Sequence, residues 1–168
     1  MTPNRHGSAV ITFPNDLEIV VTREFDAPIA LVFDVFTKPE HVRKTIAPFG
    51  EKVTECSIDL RVGGNYHFVF VADDGTECAF RGTYLEVEPP ARTVETWVFE
   101  GRPHLDAVER VELHEAHGVT KLTMTLTFRD KASRDEDIQS GFDGVQNALD
   151  QTEDYLRSVL DPPGSVSV

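Results

Sequence analysis

Residues 133–160 read SRDEDIQSGFDGVQNALDQTEDYLRSVL. Apolar side chains recur at Ile138, Phe142, Val145, Leu149, Leu156 and Leu160, with the half-apolar Thr152 completing the series. Steps of three and four residues place them on one face of an α-helix. Ser133 and Glu136 fit a capping box at its start, and Asp135, Glu136 and Asp137 suit the positive end of the helix dipole. Pro162 and Pro163 stop it. One unbroken helix over 133–160 would be roughly 40 Å long, enough to cross a small domain. Gly141, Gly144 and Ala148 lie along one flank of the stripe, and each glycine costs up to about 1 kcal/mol in a helix interior. That flank leaves room for a close neighbour, either the backbone of a sheet or the wall of a ligand cavity.

Upstream of this helix the chain alternates rather than winds. Residues 119–129 place Leu122, Met124, Leu126 and Phe128 on one side and Lys121, Thr123, Thr125 and Thr127 on the other, as in a strand with one wet face. Further strands are predicted over 17–25, 52–60, 65–73, 76–88, 92–100 and 105–115. Turn signals separate them at Gly63-Gly64, Asp74-Gly75, Pro89-Pro90, Gly101-Arg102-Pro103 and Gly118. Two short helices are predicted after the first strand, one entered at Asp26-Ala27-Pro28 and one begun near Pro39. The order is strand, two short helices, six strands, long helix. Short connections make the sheet antiparallel. Seven strands span roughly 30 Å, while one helix is about 10 Å across. The expected fold is therefore α+β, with a curved seven-stranded antiparallel sheet wrapped around the C-terminal helix and a hollow between them.

The 168 residues fit a single domain over 17–160, with a mobile leader over 1–16, part of it free to dock, and a tail over 161–168. A hydrophobic fraction of 40% and eleven phenylalanines supply a core. The net charge of −13 argues against nucleic acid and anionic membrane as partners. No stretch is long and apolar enough to span a bilayer, and the N-terminus lacks a signal-peptide core. Cys56 and Cys78 form no metal-type or disulfide spacing, so a reducing cytoplasm is the expected compartment.

An ordered set of short segments carries a resemblance. It comprises Arg23-Glu24-Phe25-Asp26-Ala27-Pro28, then Phe36-Thr37-Lys38-Pro39-Glu40, then Asp59-Leu60-Arg61-Val62-Gly63-Gly64 with Tyr66 and Phe68. It continues through Phe80-Arg81-Gly82-Thr83-Tyr84-Leu85-Glu86-Val87-Glu88-Pro89-Pro90 and Glu95-Thr96-Trp97 to Ser140-Gly141-Phe142 and Leu149. In this the chain resembles the Activator of Hsp90 ATPase homologue family, or SRPBCC proteins, within the START/Bet v 1-like superfamily. The resemblance implies a helix-grip fold with a cavity between sheet and helix. It does not imply one reaction. Where the family usually carries tryptophan in the loop after the second helix, this chain has Thr45 and Ile46 ahead of Pro48-Phe49-Gly50.

Function has to be argued from the site. No GxSxG elbow, HExxH or phosphate loop is present. The histidines are scattered, and His114 with His117 lack further ligands, so no metal or other cofactor is expected. The resemblance together with strand alternation selects a lining of Tyr66, Phe68, Phe70, Trp97, Phe99, Leu122, Met124 and Leu126 on the sheet, faced by Phe142 and Leu149 on the helix. His67, opposite in parity to Tyr66 and Phe68, should point to solvent. Arg81, Glu95, Arg110 and Glu112 sit amid apolar neighbours, and a single bulge would reverse the face they occupy. The expected function is binding of a small, mostly hydrophobic molecule in the hollow. A polyketide cyclase- or dehydratase-like enzyme is the first alternative and requires an inward acid–base pair. A co-chaperone acting on an Hsp90-like ATPase is the second. An exposed edge strand also admits a homodimer.

Overall fold

The computed structural model describes residues 4–162 and 164. Its eight strands are β1 (Val10–Thr12), β2 (Glu18–Phe25), β3 (Lys52–Ile58), β4 (Asn65–Val71), β5 (Glu77–Glu88), β6 (Arg92–Phe99), β7 (Ala107–Ala116) and β8 (Val119–Phe128). They form one antiparallel sheet in the order β1-β2-β8-β7-β6-β5-β4-β3. Its helices are α1 (Ile29–Thr37), α2 (Pro39–Thr45), α3 (Lys131–Gln139) and α4 (Asp143–Leu160), with a short 3-10 turn at Pro48–Gly50. The run from β3 to β8 is a meander, because each connection is a turn too short to cross over. Gly75 (φ 88°) and Gly118 (φ 79°) supply the left-handed backbone that two of these hairpins need. The sheet continues when β2 lies on β8, pairing Ile19 with Leu126 and Arg23 with Leu122. The molecule is thus an α+β fold of helix-grip type.

Two expectations need correction. The sheet has eight strands, not seven. The extra one, Val10–Thr12, lies in the expected leader and pairs with Val20, Val21 and Thr22 of β2. Three residues are too few to carry a period, so tertiary partners fix this strand. Ala9 is buried and exchanges hydrogen bonds with the Gln146 side chain. Arg5 forks onto Asp26 and also reaches Glu24.

The second correction concerns the terminal helix, which is two helices. Asp130, not Ser133, caps α3, its carboxylate accepting from the Ser133 amide at 2.8 Å. The helix stops at Ser140, where Gly141 takes φ 80°. The Gly141 amide donates to the Ile138 carbonyl, closing the end in the manner of a glycine C-terminal cap. The apolar stripe stays in phase across the break, so its two halves reach different cores. Ile138 and Phe142 pack with Ile19, Leu105, Ala107 and Phe128. Val145, Leu149 and Leu156 pack with Val21, Phe25, Val32, Val35, Leu113 and Leu122. Leu160, expected in the stripe, is half exposed. The tail beyond Pro162 lies outside the described residues apart from Gly164.

Helices α1 and α2 close one end of the sheet against α4. Pro28 has no side chain to cap α1, and Glu115 of β7 does so instead, accepting from the Ile29 amide at 2.8 Å. Thr120 of β8 fixes the same corner through the Ala27 carbonyl. Full burial of Phe25, Ile19, Leu122 and Phe128 contributes about 1.5–3 kcal/mol each. Buried Arg23 ties β2 to α4, donating to Asp150 at 2.6 Å and Glu153 at 2.8 Å. These contacts hold the second half of α4 against β2 and β8. Of the strands β3 to β6, only β6 reaches these clusters, through Trp97 against the one around Phe128.

Candidate functional site

Strand parity and register decide which side chains look toward the helices. On β4, Tyr66, Phe68 and Phe70 stand opposite Gly82, Phe80 and Cys78 of β5, and Phe80 stands opposite Phe99 of β6. Their rings meet in sequence. Tyr66 stacks on Phe68 at 5.1 Å, Phe70 on Phe80 at 5.7 Å and Phe80 on Phe99 at 5.1 Å. Phe80 also touches Trp97 at 5.6 Å, and Trp97 meets Phe128 edge-on. One aromatic band therefore runs along the helix-facing side, its rings drawn from β4, β5, β6 and β8.

Phe68, Phe80, Trp97, Phe99, Met124 and Leu126 nevertheless remain only half-buried. Their neighbours leave part of each side chain uncovered, although Met124, Trp97 and Leu126 also pack against the two cores. Two depressions among the described residues lie elsewhere. A cleft of about 20 Å³ is lined by Phe25, Asp26, Glu153, Leu156 and Arg157. A groove of about 380 Å³ lies against Arg92, Glu112, His114, Lys121 and Thr123. The first holds little more than one water. The second is a charged groove away from the aromatic band. The arrangement of rings, not these depressions, marks the candidate site.

The expected lining divides. Tyr66, Phe68, Phe70, Trp97 and Phe99 share the band, and Met124 and Leu126 extend its face on β8. Leu122 and Leu149 are buried inside the packed core beside Phe25 and Leu113. Phe142 is at the break between α3 and α4, with its ring 6.0 Å from Phe13. Tyr66 owes its orientation to Gly82. A Cβ there would lie 1.8 Å from the Thr96 carbonyl and 2.6 Å from the Tyr66 ring. The bare glycine lets the tyrosine cross β5 and donate to that carbonyl at 2.8 Å. Burial pushes the Tyr66 and Tyr84 hydroxyls far above the ordinary tyrosine range.

The small flank of the helix serves neither expected purpose. Gly141 forms the break, and Gly144 faces Pro48 of the 3-10 turn, where an added Cβ would stand 3.8 Å away. That turn is clamped to α4. The Asn147 side chain accepts from the Phe49 amide at 2.6 Å, and Gln151 donates to the Ala47 carbonyl at 2.9 Å.

The four charged strand residues left open in the sequence resolve by parity. Arg81 pairs in register with Val98, Arg110 with Val94 and Glu112 with Arg92, all on the face away from the helices. His67 shares that face and bridges Glu55 and Glu100 at 2.9 Å each, which raises its pKa. Glu95 alone turns inward, between Thr93 and Trp97. Its register partner is Glu109 of β7, which the sequence reading missed. The missed signal was the alternation Ala107, Glu109, Val111, Leu113, in which the glutamate occupies an inward position.

These two carboxyls stand side by side on the helix-facing side of β6 and β7. Both are held well above the ordinary carboxylate range, chiefly because burial penalises their charge. The two share a hydrogen bond, so one proton is retained between them. Glu95 is 7% exposed, and its Oε2 has no hydrogen-bond partner. Tyr84 stands opposite Glu95 across β5 and β6, with Tyr66 beside it. The arrangement offers an apolar, aromatic wall, one unsatisfied acceptor and a proton. Separately, His6, Glu153 and Asp154 bring three donor atoms together, but Glu153 is already bonded to Arg23 and the Arg5 amide.

A family model described as Activator of Hsp90 ATPase homolog 1-like protein matches residues 26–160. The fold is similar to a crystal structure from Rhodobacter sphaeroides at a TM-score of 0.83 and 19% identity, covering 90% of this chain and 99% of that one. It is similar to a protein of Nitrosomonas europaea at a TM-score of 0.77 and 25% identity, over 88% and 99% of the two chains. A protein of Chromobacterium violaceum is 29% identical at a TM-score of 0.69, over 84% and 96%. No curated protein matches. No helix among the described residues is long and apolar enough to cross a membrane.

Proposed function

Because the chain belongs to the Activator of Hsp90 ATPase homolog 1-like family, we propose that it binds a small, mostly hydrophobic molecule in the cleft between the aromatic band and the helices. The observation that carries this reading is the partial exposure of Phe68, Phe80, Trp97 and Phe99 on the side of the sheet that faces the helices. An apolar guest would cover that surface, at about 25 cal/mol for each Å² removed from water. Trp97 is the sole tryptophan and stands in the band, so its emission reports directly on occupancy. A panel of hydrophobic ligands should shift that emission and raise the melting temperature in step. A panel that changes neither, together with a native mass spectrum showing only the bare chain, would overturn the proposal.

The Glu95–Glu109 pair favours a second reading, in which the bound molecule is turned over by acid–base chemistry. Glu95, held protonated, would be the acid, and Glu109 the base. Product formation from a bound candidate, abolished by Glu95→Gln without loss of binding, would support it; equal conversion by that variant would rule it out.

A further inference from the structure

Resting on the cleft reading above, we infer that its acidic floor is a subsite for a cationic nitrogen, so that the natural ligand is an apolar, ring-bearing molecule with a protonated amine or amidine. Native proteins leave few buried polar atoms unpaired, and an orphaned carboxylate oxygen is among the costlier ones. Glu95 is more than nine-tenths buried, its Oε2 is orphaned, and its parity with Trp97 aims it into the cleft. Glu109 adds a second carboxyl directly opposite on β7.

The protein supplies no cation to this pair. Among the described residues, no arginine, lysine or histidine forms an ion pair with either carboxylate. Arg23, the basic side chain on the inner face of β2, is committed to Asp150 and Glu153. Arg92 and Arg110 leave β6 and β7 on the opposite face, and Arg92 is paired there with Glu86 and Glu88. A ligand ammonium would satisfy Oε2, supply the missing positive charge and displace the shared proton. The rings of Trp97, Tyr66 and Tyr84 around the floor offer π faces that a cation prefers to a neutral group. A ligand hydroxyl could make the hydrogen bond but not the charge pair, and a ligand carboxylate would meet like charge.

The test compares naphthylmethylamine with naphthalenemethanol, probes of one shape that differ in charge, by isothermal titration against the full chain. The amine should bind about tenfold tighter, the gain typical of one charged hydrogen bond. Glu95→Gln and Glu109→Gln should each weaken the amine far more than the alcohol and so remove the preference. Glutamine keeps the side-chain shape, and circular dichroism on each variant verifies folding; Glu95→Leu serves as a second variant of similar bulk. If the alcohol binds and the amine binds no better, or if the preference survives both glutamine variants, the cationic subsite is wrong while the cleft stands. If neither probe binds, the cleft reading falls and takes this inference with it.

Discussion

Two buried charged clusters on the helix-facing side of the sheet are built on opposite principles. At β2, the guanidinium of Arg23 meets Asp150 and Glu153 of α4, and the Arg5 and Gly7 amides add further donors to those carboxylates. Positive charge meets negative charge there, and the cluster fastens helix to sheet although the Arg23 Nε has no partner. At β6 and β7, Glu95 and Glu109 meet each other, share a proton and leave one oxygen without a partner. Two acidic groups are stacked, the Thr93 side chain bonds Glu95, and no cation of the described residues pairs with either. A closed ion cluster stabilises one arrangement of the chain. An open one costs stability until something else completes it, which is the behaviour of a binding floor.

That contrast sets the sign and size of substitutions. Arg23→Leu strands two carboxylates against the core and should lower stability by about 3 kcal/mol, read as a reduced urea midpoint at unchanged slope. A loss near zero would mean that the first cluster fastens nothing. Glu95→Gln should act the other way. Both glutamates have raised pKa values in the folded state, so above the ordinary value of about 4.3 the folded chain holds more protons than the unfolded one. Stability contributed by the protonated pair is complete below that pH and is lost as pH rises through the folded values. Wild type should therefore lose stability from mildly acidic to mildly alkaline pH, and Glu95→Gln should flatten the slope and gain about 1 kcal/mol at the alkaline end. Identical pH profiles for the two proteins would show that the pair does not carry the burial cost assigned to it. Asp150→Asn should have the smallest effect, a loss under about 1 kcal/mol that shrinks further in high salt, because its carboxylate is partly exposed and Glu153 still holds Arg23.

Much of this fold was legible because periodicity reports which face is buried. The alternation Leu122, Met124, Leu126, Phe128 placed β8 correctly, and the same parity put Tyr66, Phe68 and Phe70 on one face of β4. What escaped the sequence shared one cause: local pattern cannot see a partner distant along the chain. Strand β1 exists because β2 and Gln146 receive it. The stripe from Ile138 to Leu156 stays in register across Gly141, so the break left no trace except the glycine itself. Glu95 shared parity with Trp97, but a bulge could have reversed it. The bulge falls instead in β5, between Tyr84 and Glu86. Glu109 was not singled out beside Arg110 and Glu112, although Ala107 and Leu113 bracket it with inward parity.

The most direct test of the cleft is backbone and indole chemical-shift mapping with naphthalenemethanol, a neutral aromatic probe. Shifts should gather on the Trp97 indole and on Tyr66, Phe80, Glu95, Phe99 and Glu109. Shifts confined to the charged groove around Arg92, Glu112, His114 and Lys121, or spread with no focus, would contradict it.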